Sequence, residues 1–375
     1  MPALDAMLDA LPEPTKRLLD EHHFDRSRFL RLAASVSAGV RSNQVSGALA
    51  PPEPGDVLSP PEPGSARWQE LEARGLDALA RGKVALVVLA GGMATRMGGV
   101  VKALVEALPG ETFLDLRLGE MRALAERVGR PVPLWLMTSL ATRQPIERAL
   151  AGRLDDELLA VFPQHVSLRL TPTGELFLDG DGHPSLQASG HGDLPDALRD
   201  SGLLPRFVDR GGTTLLVTNL DNLGATLDPV LVGLHLEHGL PVTCEVVDKA
   251  DGDRGGIPVR LDGRAVVLEE FRIPPSFDPS TVRVFNTNTF HFDARRLLDL
   301  RADWSFFTVE KKVNSSMVVQ FERLLGEITS FLETRFVRVP RQGAQSRFLP
   351  VKDEAELLAR RSEIELVARG RGMSS

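Results

Sequence analysis

The feature that most constrains the fold is an apolar run of seven residues, 84–90, that ends at the glycine pair Gly91-Gly92. A β-rich run this short is typical of a buried strand, whereas a membrane-spanning helix needs ~20 residues. Strand-like and helix-like segments alternate after it, which predicts an α/β fold with an open, mostly parallel sheet. The further strand candidates are residues 133–139, 214–219 and 241–247.

Local signals predict several helices and a hairpin. Residues 112–128 carry an apolar stripe at helical spacing, and Gly129 occupies the position of a C-terminal cap. Asp228-Pro229 combines an N-cap residue with a first-turn proline and predicts a helix that runs to Gly239. Residues 70–81 form another short helix candidate. Asp262-Gly263, between residues 257–261 and 264–268, predicts a hairpin.

The N-terminal part of the chain has a different pattern. Apolar residues within the first 42 positions recur at spacings of three and four, which predicts small amphipathic helices. Residues 46–65 contain PPEPG twice and predict an extended, semi-rigid connector, either a functional linker or a strap held on the surface. We therefore predict a helical N-terminal segment with this linker at 1–80, a central domain at 81–335 and a short C-terminal segment at 336–375.

Composition excludes several classes of protein. Of 375 residues, 42% are hydrophobic and 25% are charged, which excludes a collagen, a coiled coil and a wholly disordered chain. The net charge of −7 argues against a general nucleic-acid binder, and we expect neither a nucleic-acid nor a membrane partner. Cys244 is the single cysteine, which excludes an internal disulfide and a CxxC zinc site. The acidic, proline-containing N-terminus does not resemble a signal peptide, so we expect a cytoplasmic protein.

The segment after the first strand contains groups that suit a phosphate ligand. Gly91-Gly92, Arg96, Gly98-Gly99 and Lys102 combine accessible backbone N–H groups with two cations. Their spacing matches neither the dinucleotide fingerprint GxGxxG nor the P-loop GxxxxGKS/T. Glycine, arginine and lysine together favour a polyphosphate over a nicotinamide cofactor. A tight turn without a ligand is the alternative.

This segment, LAGGMATRMGGVVK, resembles the LxGGxGTxMG…PK signature of the UDP-sugar pyrophosphorylases, and the similarity continues in order to position 352. The last four of the matching segments are most similar to the UDP-glucose pyrophosphorylases. The matching segments are PLWLMTS at 133, FPQ at 162 with Arg169, GHGD at 190, NLDNLGA at 219, EVVDK at 245, GG at 255, LE at 268, FNTN at 285 and SRFLPVK at 346.

The resemblance implies a fold and an assembly. The fold is a Rossmann-like nucleotidyltransferase, α/β, with a central mixed, mostly parallel sheet and a helical N-terminal segment. Residues 81–335 would be the nucleotide- and sugar-phosphate-binding catalytic domain, and the C-terminal segment would carry Lys352. Because about 23 residues follow Lys352, we expect no C-terminal β-helix domain and a monomer or weak dimer.

The resemblance also implies a reaction, in which UTP and glucose 1-phosphate give UDP-glucose and pyrophosphate by in-line displacement with Mg²⁺. Departures from the pattern keep another UDP-sugar pyrophosphorylase, such as one for UDP-N-acetylglucosamine, as an alternative. The other alternative is a catalytically silent relative that binds nucleotide sugars. The presence of Lys102, Asp221 and Lys352 argues against it. The departures are Ala94 for a glycine, Val101 and Ser189 for prolines, and Arg96, which is more typical of N-acetylglucosamine and bacterial enzymes.

The nucleophile of this reaction is already an anion, so catalysis requires positioning and positive charge rather than a general base. The resemblance implies that Lys352, Lys102 and Arg96 are catalytic, and that Asp221 is the metal ligand. It assigns nucleotide binding to Leu89, Ala90, Gly91, Gly92, Lys102, Gln164, Gly190 and Asp221. It assigns sugar-phosphate binding to His191, Asn219, Lys249, Gly256, Glu269, Asn286 and Asn288.

Other interpretations compete at single positions. Asp221 could be a turn aspartate that caps local N–H groups, and Lys352 could be a solvated surface lysine. Gln164 carries an amide that can match the imide edge of uracil, although most loop glutamines have no such role. His235 and His238 lie three residues apart on a predicted helix without a third ligand nearby, and we interpret them as surface residues.

Overall fold

The protein is described by a computed structural model that covers residues 2–39, 43–94, 98–313 and 315–374. None of the helices in these ranges has both the length and the apolar character that a membrane crossing requires. The helices are α1 (Pro2–Asp9), α2 (Glu13–Glu21), α3 (Arg26–Ser37), α4 (Ala66–Ala80), α5 (Phe113–Val128), α6 (Arg143–Ala149), α7 (Leu194–Asp200), α8 (Leu203–Asp209), α9 (Pro229–His238), α10 (Ala294–Asp299) and α11 (Glu354–Gly370). The strands are β1 (Leu49–Ala50), β2 (Val57–Leu58), β3 (Val84–Leu89), β4 (Met93–Ala94), β5 (Val100–Val101), β6 (Glu106–Leu108), β7 (Glu111–Thr112), β8 (Leu134–Thr138), β9 (Leu159–Pro163), β10 (Val166–Leu168), β11 (Leu186–Ala188), β12 (Thr214–Asn219), β13 (Val242–Asp248), β14 (Gly256–Leu261), β15 (Arg264–Glu269), β16 (Val284–Asp293), β17 (Phe307–Val313), β18 (Ser316–Glu322) and β19 (Thr334–Arg338).

Within the described residues, eight strands form a central sheet in the order β2-β19-β13-β16-β12-β3-β8-β9. Strand β16 is antiparallel to its neighbours β12 and β13, and the other pairs are parallel, so the predicted mixed, mostly parallel sheet is confirmed. Ala85 and Val87 of β3 pack in one buried cluster, and Leu86 and Val88 pack in another. Burial on both faces explains why this strand is continuously apolar.

The helix ends are set by capping groups. The Thr112 hydroxyl accepts from the Asp115 N–H at 3.1 Å, and the Asp115 carboxylate accepts from the Thr112 N–H at 3.0 Å. This capping box starts α5, and Gly129, with a φ of 76°, ends it, which confirms the helix predicted over 112–128. Helix α4 begins four residues before the predicted start at 70, because Ser65 caps it by accepting from the Trp68 N–H at 3.2 Å.

The proline-rich segment is bound along the edge of the fold. Strand β1 pairs with β14, and β2 pairs with β19 at the edge of the central sheet. Arg260 anchors the segment by donating to Asp56, from Nε to Oδ2 at 2.7 Å and from Nη2 to Oδ1 at 2.8 Å. Of the two sequence interpretations, these contacts favour a strap held on the surface.

The N-terminal helices α1, α2 and α3 confirm the helical prediction for the described part of the first 42 residues. Their apolar side chains form a separate buried cluster with residues of β10 and β18. Phe29 of α3 meets Phe321 of β18 edge to face, with ring centroids 6.4 Å apart. The N-terminal segment therefore packs on the strands that follow Gln164 in the chain.

The interpretation of His235 and His238 as surface residues is wrong. His235 is only 3% exposed, and His238 is half-buried. Both rings hydrogen-bond to the Thr243 hydroxyl of β13, His235 through Nδ1 at 2.8 Å and His238 through Nε2 at 2.7 Å. Helix α9 packs against the sheet through this face, and burial accordingly lowers the pKa of His235 well below its ordinary value.

Candidate active site

A cavity of about 630 Å³ opens at the carboxyl ends of four adjacent strands, β12, β3, β8 and β9. Parallel strands of open α/β sheets commonly bind ligands at this edge. The sequence-predicted residues that line it are Leu89, Ala90, Gly91, Gly92, Lys102, Gln164, Gly190, His191, Asn219 and Asp221. Their arrangement follows from topology, because each segment directly follows a strand of this sheet or faces its end.

The floor of the cavity contains an ion pair between two predicted site residues. Lys102 Nζ donates to Asp221 Oδ2 at 2.6 Å, and the two side chains are 18% and 17% exposed. The Lys102 N–H also donates to the Gly92 carbonyl at 3.3 Å, which joins the lysine to the glycine-rich turn. Asp221 therefore contacts the lysine that follows the glycine-rich turn, and the alternative of an isolated turn aspartate does not describe this contact.

Gln164 presents a carboxamide to the cavity. Its backbone is fixed at the end of β9, where its N–H donates to the Thr138 carbonyl at 2.8 Å. The residue is 7% exposed, and none of the described residues hydrogen-bonds to its side-chain amide. A buried amide that lines a cavity and has no hydrogen bond to the described residues is available to a ligand that offers a complementary polar edge.

Gly190 has a conformation and a contact that favour glycine. Its φ is +98°, and a Cβ at this position would lie 2.3 Å from the Arg323 carbonyl oxygen. The close approach brings β18 beside the cavity wall. His191, the next residue, accepts the Leu325 N–H at Nδ1 at 3.0 Å, and burial lowers the pKa of this imidazole. His191 is therefore neutral with its proton on Nε2, which leaves one N–H donor for a ligand.

A row of asparagines extends from the cavity. Asn288 Nδ2 donates to Asn219 Oδ1 at 3.0 Å, and the Asn288 N–H donates to Asn286 Oδ1 at 2.9 Å. The register of β13 against β16 shifts here, so that Glu245 pairs with Thr289 but the next residue pairs with Asn286. This bulge, with a φ of 56° at Asn288, turns the Asn288 side chain toward Asn219.

The other predicted sugar-phosphate residues lie beyond this row. A Cβ on Gly256 would be 2.9 Å from Glu269 Oε1 and 3.3 Å from Asn286 Nδ2, so these three residues are direct neighbours. Burial, followed by the charge of Glu327, raises the pKa of Glu269 to about 7. Near neutral pH, Glu269 can therefore be either a carboxyl, which can donate a hydrogen bond, or a carboxylate, which only accepts hydrogen bonds.

Three predicted cations are not among the described residues that line the cavity. Lys352 is exposed, and its N–H donates to Glu356 Oε2 of α11 at 2.7 Å. Lys249 follows β13, where its N–H donates to the Arg283 carbonyl at 2.9 Å. Arg96 lies outside the described residues.

The segment that carries Lys352 is fixed by buried groups of two other motifs. Arg347 donates to both carboxylate oxygens of Glu245, from Nη2 to Oε1 at 2.6 Å and from Nε to Oε2 at 2.7 Å. The Asn222 amide donates to the Arg347 carbonyl at 3.1 Å and accepts the Leu349 N–H at 2.8 Å. Glu245 is fully buried, with its pKa lowered to about 2 by Arg347 and His291 against the effect of burial. These residues position the segment rather than contact a ligand.

Sequence reasoning missed several residues of the cavity wall. Lys311 of β17 donates to Glu322 Oε1 of β18 at 2.7 Å, and both residues line the cavity. Arg169, which the resemblance included without a role, also lines it and donates to Gln320 Oε1 at 3.0 Å. The chain has only seven lysines, so the rarity of lysine is a sequence signal that could have marked Lys311 as a candidate.

The sheet and the site at its carboxyl edge define a nucleotidyltransferase-like α/β protein. The solved structure of UDP-glucose phosphorylase from Trypanosoma brucei has the same fold, with a TM-score of 0.72 and 25% identity, covering 89% of this chain and 74% of its own. Residues 55–373 match the model of the family described as UTP–glucose-1-phosphate uridylyltransferase. The chain belongs to this family.

Individual relatives show the same similarity. UTP–glucose-1-phosphate uridylyltransferase from Hordeum vulgare is 28% identical, over 98% of this chain and 80% of its own length. UTP–glucose-1-phosphate uridylyltransferase 2 from Dictyostelium discoideum is 29% identical, over 77% of this chain and 60% of its own length. The alignment therefore spans less than two thirds of the second relative.

Proposed function

We propose that the protein forms UDP-glucose and pyrophosphate from UTP and glucose 1-phosphate. The observation that carries the proposal is the Lys102–Asp221 pair beside Gly91-Gly92, in a cavity whose wall also holds the Gln164 amide. A glycine turn with a lysine suits a polyphosphate, and a free amide suits a base edge. The family and the relatives, which carry the names of uridylyltransferases, support the same reaction.

In this proposal, the residues along the sheet edge divide the substrates between them. Gln164 and the Gly190 backbone bind uracil, while Gly91-Gly92 and Lys102 bind the triphosphate. The asparagine row from Asn219 outward binds sugar hydroxyls. Two polyanions are thereby held together, so the positive groups act mainly by positioning and by stabilising the departing pyrophosphate.

We propose Mg²⁺ as the cofactor, held by Asp221. One carboxylate at a strand end fits this ion, because Mg²⁺ usually keeps waters and phosphate oxygens as its other ligands. The ion pair supports this fit, since the Asp221 carboxylate already accommodates a cation at 2.6 Å. Bound Mg²⁺ would neutralise charge on the phosphates, and Lys102 would then turn from Asp221 to a phosphate oxygen.

The test measures pyrophosphate release with UTP against a panel of sugar 1-phosphates, including glucose and N-acetylglucosamine 1-phosphate. We expect glucose 1-phosphate to give the highest kcat/KM. Asp221→Asn should lose most of the activity and its response to Mg²⁺, and Asp77→Asn, an exposed residue of α4, is the control. A higher kcat/KM with another sugar 1-phosphate would show that glucose 1-phosphate is not the preferred substrate. If the folded protein were inactive with every sugar 1-phosphate, a protein that binds nucleotide sugars without catalysis would be favoured.

Location and assembly are also part of the proposal. We propose a cytoplasmic protein that is a monomer or weak dimer and binds neither nucleic acid nor membranes. Light scattering at micromolar concentration tests the assembly, and a stable octamer would contradict it. Fractionation of cells that make the protein tests the location.

A further inference from the structure

We propose that His23, His165 and Asp200 form a binding site for a transition-metal ion of the Zn²⁺ type, separate from the proposed Mg²⁺ site. Three distant segments bring these residues together: the end of α2, the turn between β9 and β10, and the last residue of α7. One ligand atom from each lies within 4.8 Å of the other two. The proposal is independent of the proposed function, because it involves neither UTP nor a sugar phosphate.

The distances are close to those that a metal would impose. His165 Nε2 lies 3.0 Å from Asp200 Oδ2, and His23 Nδ1 lies 3.8 Å from the same oxygen. Zinc bonds of ~2.0–2.1 Å in tetrahedral geometry separate neighbouring ligand atoms by about 3.3 Å. The side chain of His23 is 48% exposed, so it can rotate to close the remaining gap.

The chemistry of the three groups selects the class of ion. Two imidazole nitrogens and one carboxylate oxygen suit Zn²⁺, Co²⁺ or Ni²⁺, whereas Mg²⁺ prefers oxygen ligands throughout. His165 Nε2 is hydrogen-bonded to Asp200 Oδ2 at 3.0 Å, and a bound ion would displace the proton that these two groups share. The half-exposed positions of His23 and Asp200 leave room for water as a further ligand.

The surrounding backbone also favours a cation. Asp200 is the last residue of α7, and His23 follows the C-terminus of α2, so two helix ends with partial negative charge lie at the site. His23 has a φ of 54° at a helix-terminating position where glycine is usual. Arg323, a positive charge that acts on His165, is paired with Asp193 and Asp196.

A bound ion would connect the N-terminal helices to the segment that carries Gln164, the residue predicted to bind the base. The Val166 N–H donates to the His22 carbonyl at 3.1 Å, and the His22 ring lies 3.4 Å from the Gln164 carbonyl through Nδ1. The site therefore lies at one edge of the contact between α2 and residues 164–166. Metal binding should stabilise this contact and, with it, the folded state.

The test uses the full chain without an affinity tag, stripped with a chelator and then titrated with Co²⁺ in the absence of nucleotide. We expect one Co²⁺ per chain, with the absorption of a four- or five-coordinate ion that excess Zn²⁺ abolishes. His23→Ala and Asp200→Asn should each weaken binding by at least about 10–100-fold, because a loss of that size is typical even for removing an outer-shell partner of a metal ligand. Zn²⁺ should raise the Tm of the wild type by several degrees and that of either variant much less.

The control is His183→Ala, which removes a histidine from the exposed group Asp179, Asp181 and His183. This variant should keep the Co²⁺ signal. The circular dichroism of all metal-free variants should match that of the wild type, which shows that loss of binding is not loss of folding. The proposal is overturned if equimolar Co²⁺ does not bind, if both site variants bind like the wild type, or if the signal disappears with His183.

Discussion

The nucleotide side of the proposed site and the side that carries Lys352 are built in different ways. On the nucleotide side, Gly91, Gln164 and Asp221 each come within two residues of the end of a parallel strand, and all three line the cavity. On the other side, the segment that carries Lys352 is held by contacts of Arg347 with Glu245 of β13 and with Asn222, which follows β12, and Lys352 itself is exposed. One half is positioned by the sheet, and the other by buried polar contacts.

The two halves should therefore respond to different substitutions. The two residues that follow a strand lie at the edge of the sheet, because the register of the sheet fixes the position of the strand's backbone. A segment held by an ion pair depends on whether every buried partner is satisfied. We therefore expect substitutions far from the cavity to affect the Lys352 side and only direct substitutions to affect the nucleotide side.

The largest effect should come from breaking the buried pair of Arg347 and Glu245. Arg347→Met leaves the Glu245 carboxylate without its main partner, which typically destabilises a protein by about 3–5 kcal/mol. Chemical denaturation should show this loss. The double variant Arg347→Met/Glu245→Met should recover much of the stability, because it removes the unpaired charge. A single variant as stable as the wild type would show that the pair does not hold the segment.

The next largest effect should come from Lys352→Ala. If the ammonium stabilises the phosphates mainly in the transition state, kcat should fall on the order of 10²–10³-fold with little change in KM. Lys352→Arg should recover little, because a planar guanidinium does not replace a compact charge. Steady-state kinetics measure this, with Lys16→Ala on α2 as the control. A folded variant with nearly normal kcat would place the chemistry elsewhere, on Lys102 and Arg96.

A smaller effect should follow from Gln164→Ala on the nucleotide side. The loss of a hydrogen-bonding partner for a buried uracil edge should weaken UTP binding by ~1–3 kcal/mol. The preference for UTP over other nucleotides should also narrow, which isothermal titration can measure with each nucleotide. Gln69→Ala, on α4, is the matched control. An unchanged nucleotide preference would remove Gln164 from base recognition.

The smallest effect should come from Lys311→Met on the β17–β18 hairpin. Its side chain is 50% exposed and already paired with Glu322, so its attraction to a phosphate is partly screened. We expect KM for UTP to rise by about tenfold or less, with kcat nearly unchanged. The neighbouring Lys312 projects to the opposite face of the strand and supplies a matched control in Lys312→Met. Equal effects of the two substitutions would mean that Lys311 acts only through overall charge.

Much of the fold could be predicted because its signals are local. The apolar run in β3, the capping box of α5 and the Asp262-Gly263 turn each specify a structure within a few residues. The errors have a tertiary cause. His235 and His238 have a polar appearance in the sequence, but Thr243 on a neighbouring strand supplies the partner that allows them to be buried. Thr243 is only five residues from His238 in the chain, but the packing of α9 against β13 that brings the two together is not visible in the sequence.

The α/β class, the ends of β3, β8 and β12, and the places of Gly91 and Asp221 at that edge could be predicted from the sequence. Strand β9 was not predicted, and Gln164 came from the family resemblance. Only the tertiary structure decided that Lys102 pairs with Asp221, that Lys311 completes the wall, and that the bulge in β16 turns Asn288 toward Asn219. It also decided the convergence of His23, His165 and Asp200. Periodicity and capping act within one or two turns of chain, whereas the Asn288–Asn219 hydrogen bond and the Lys102–Asp221 ion pair join residues 69 and 119 positions apart.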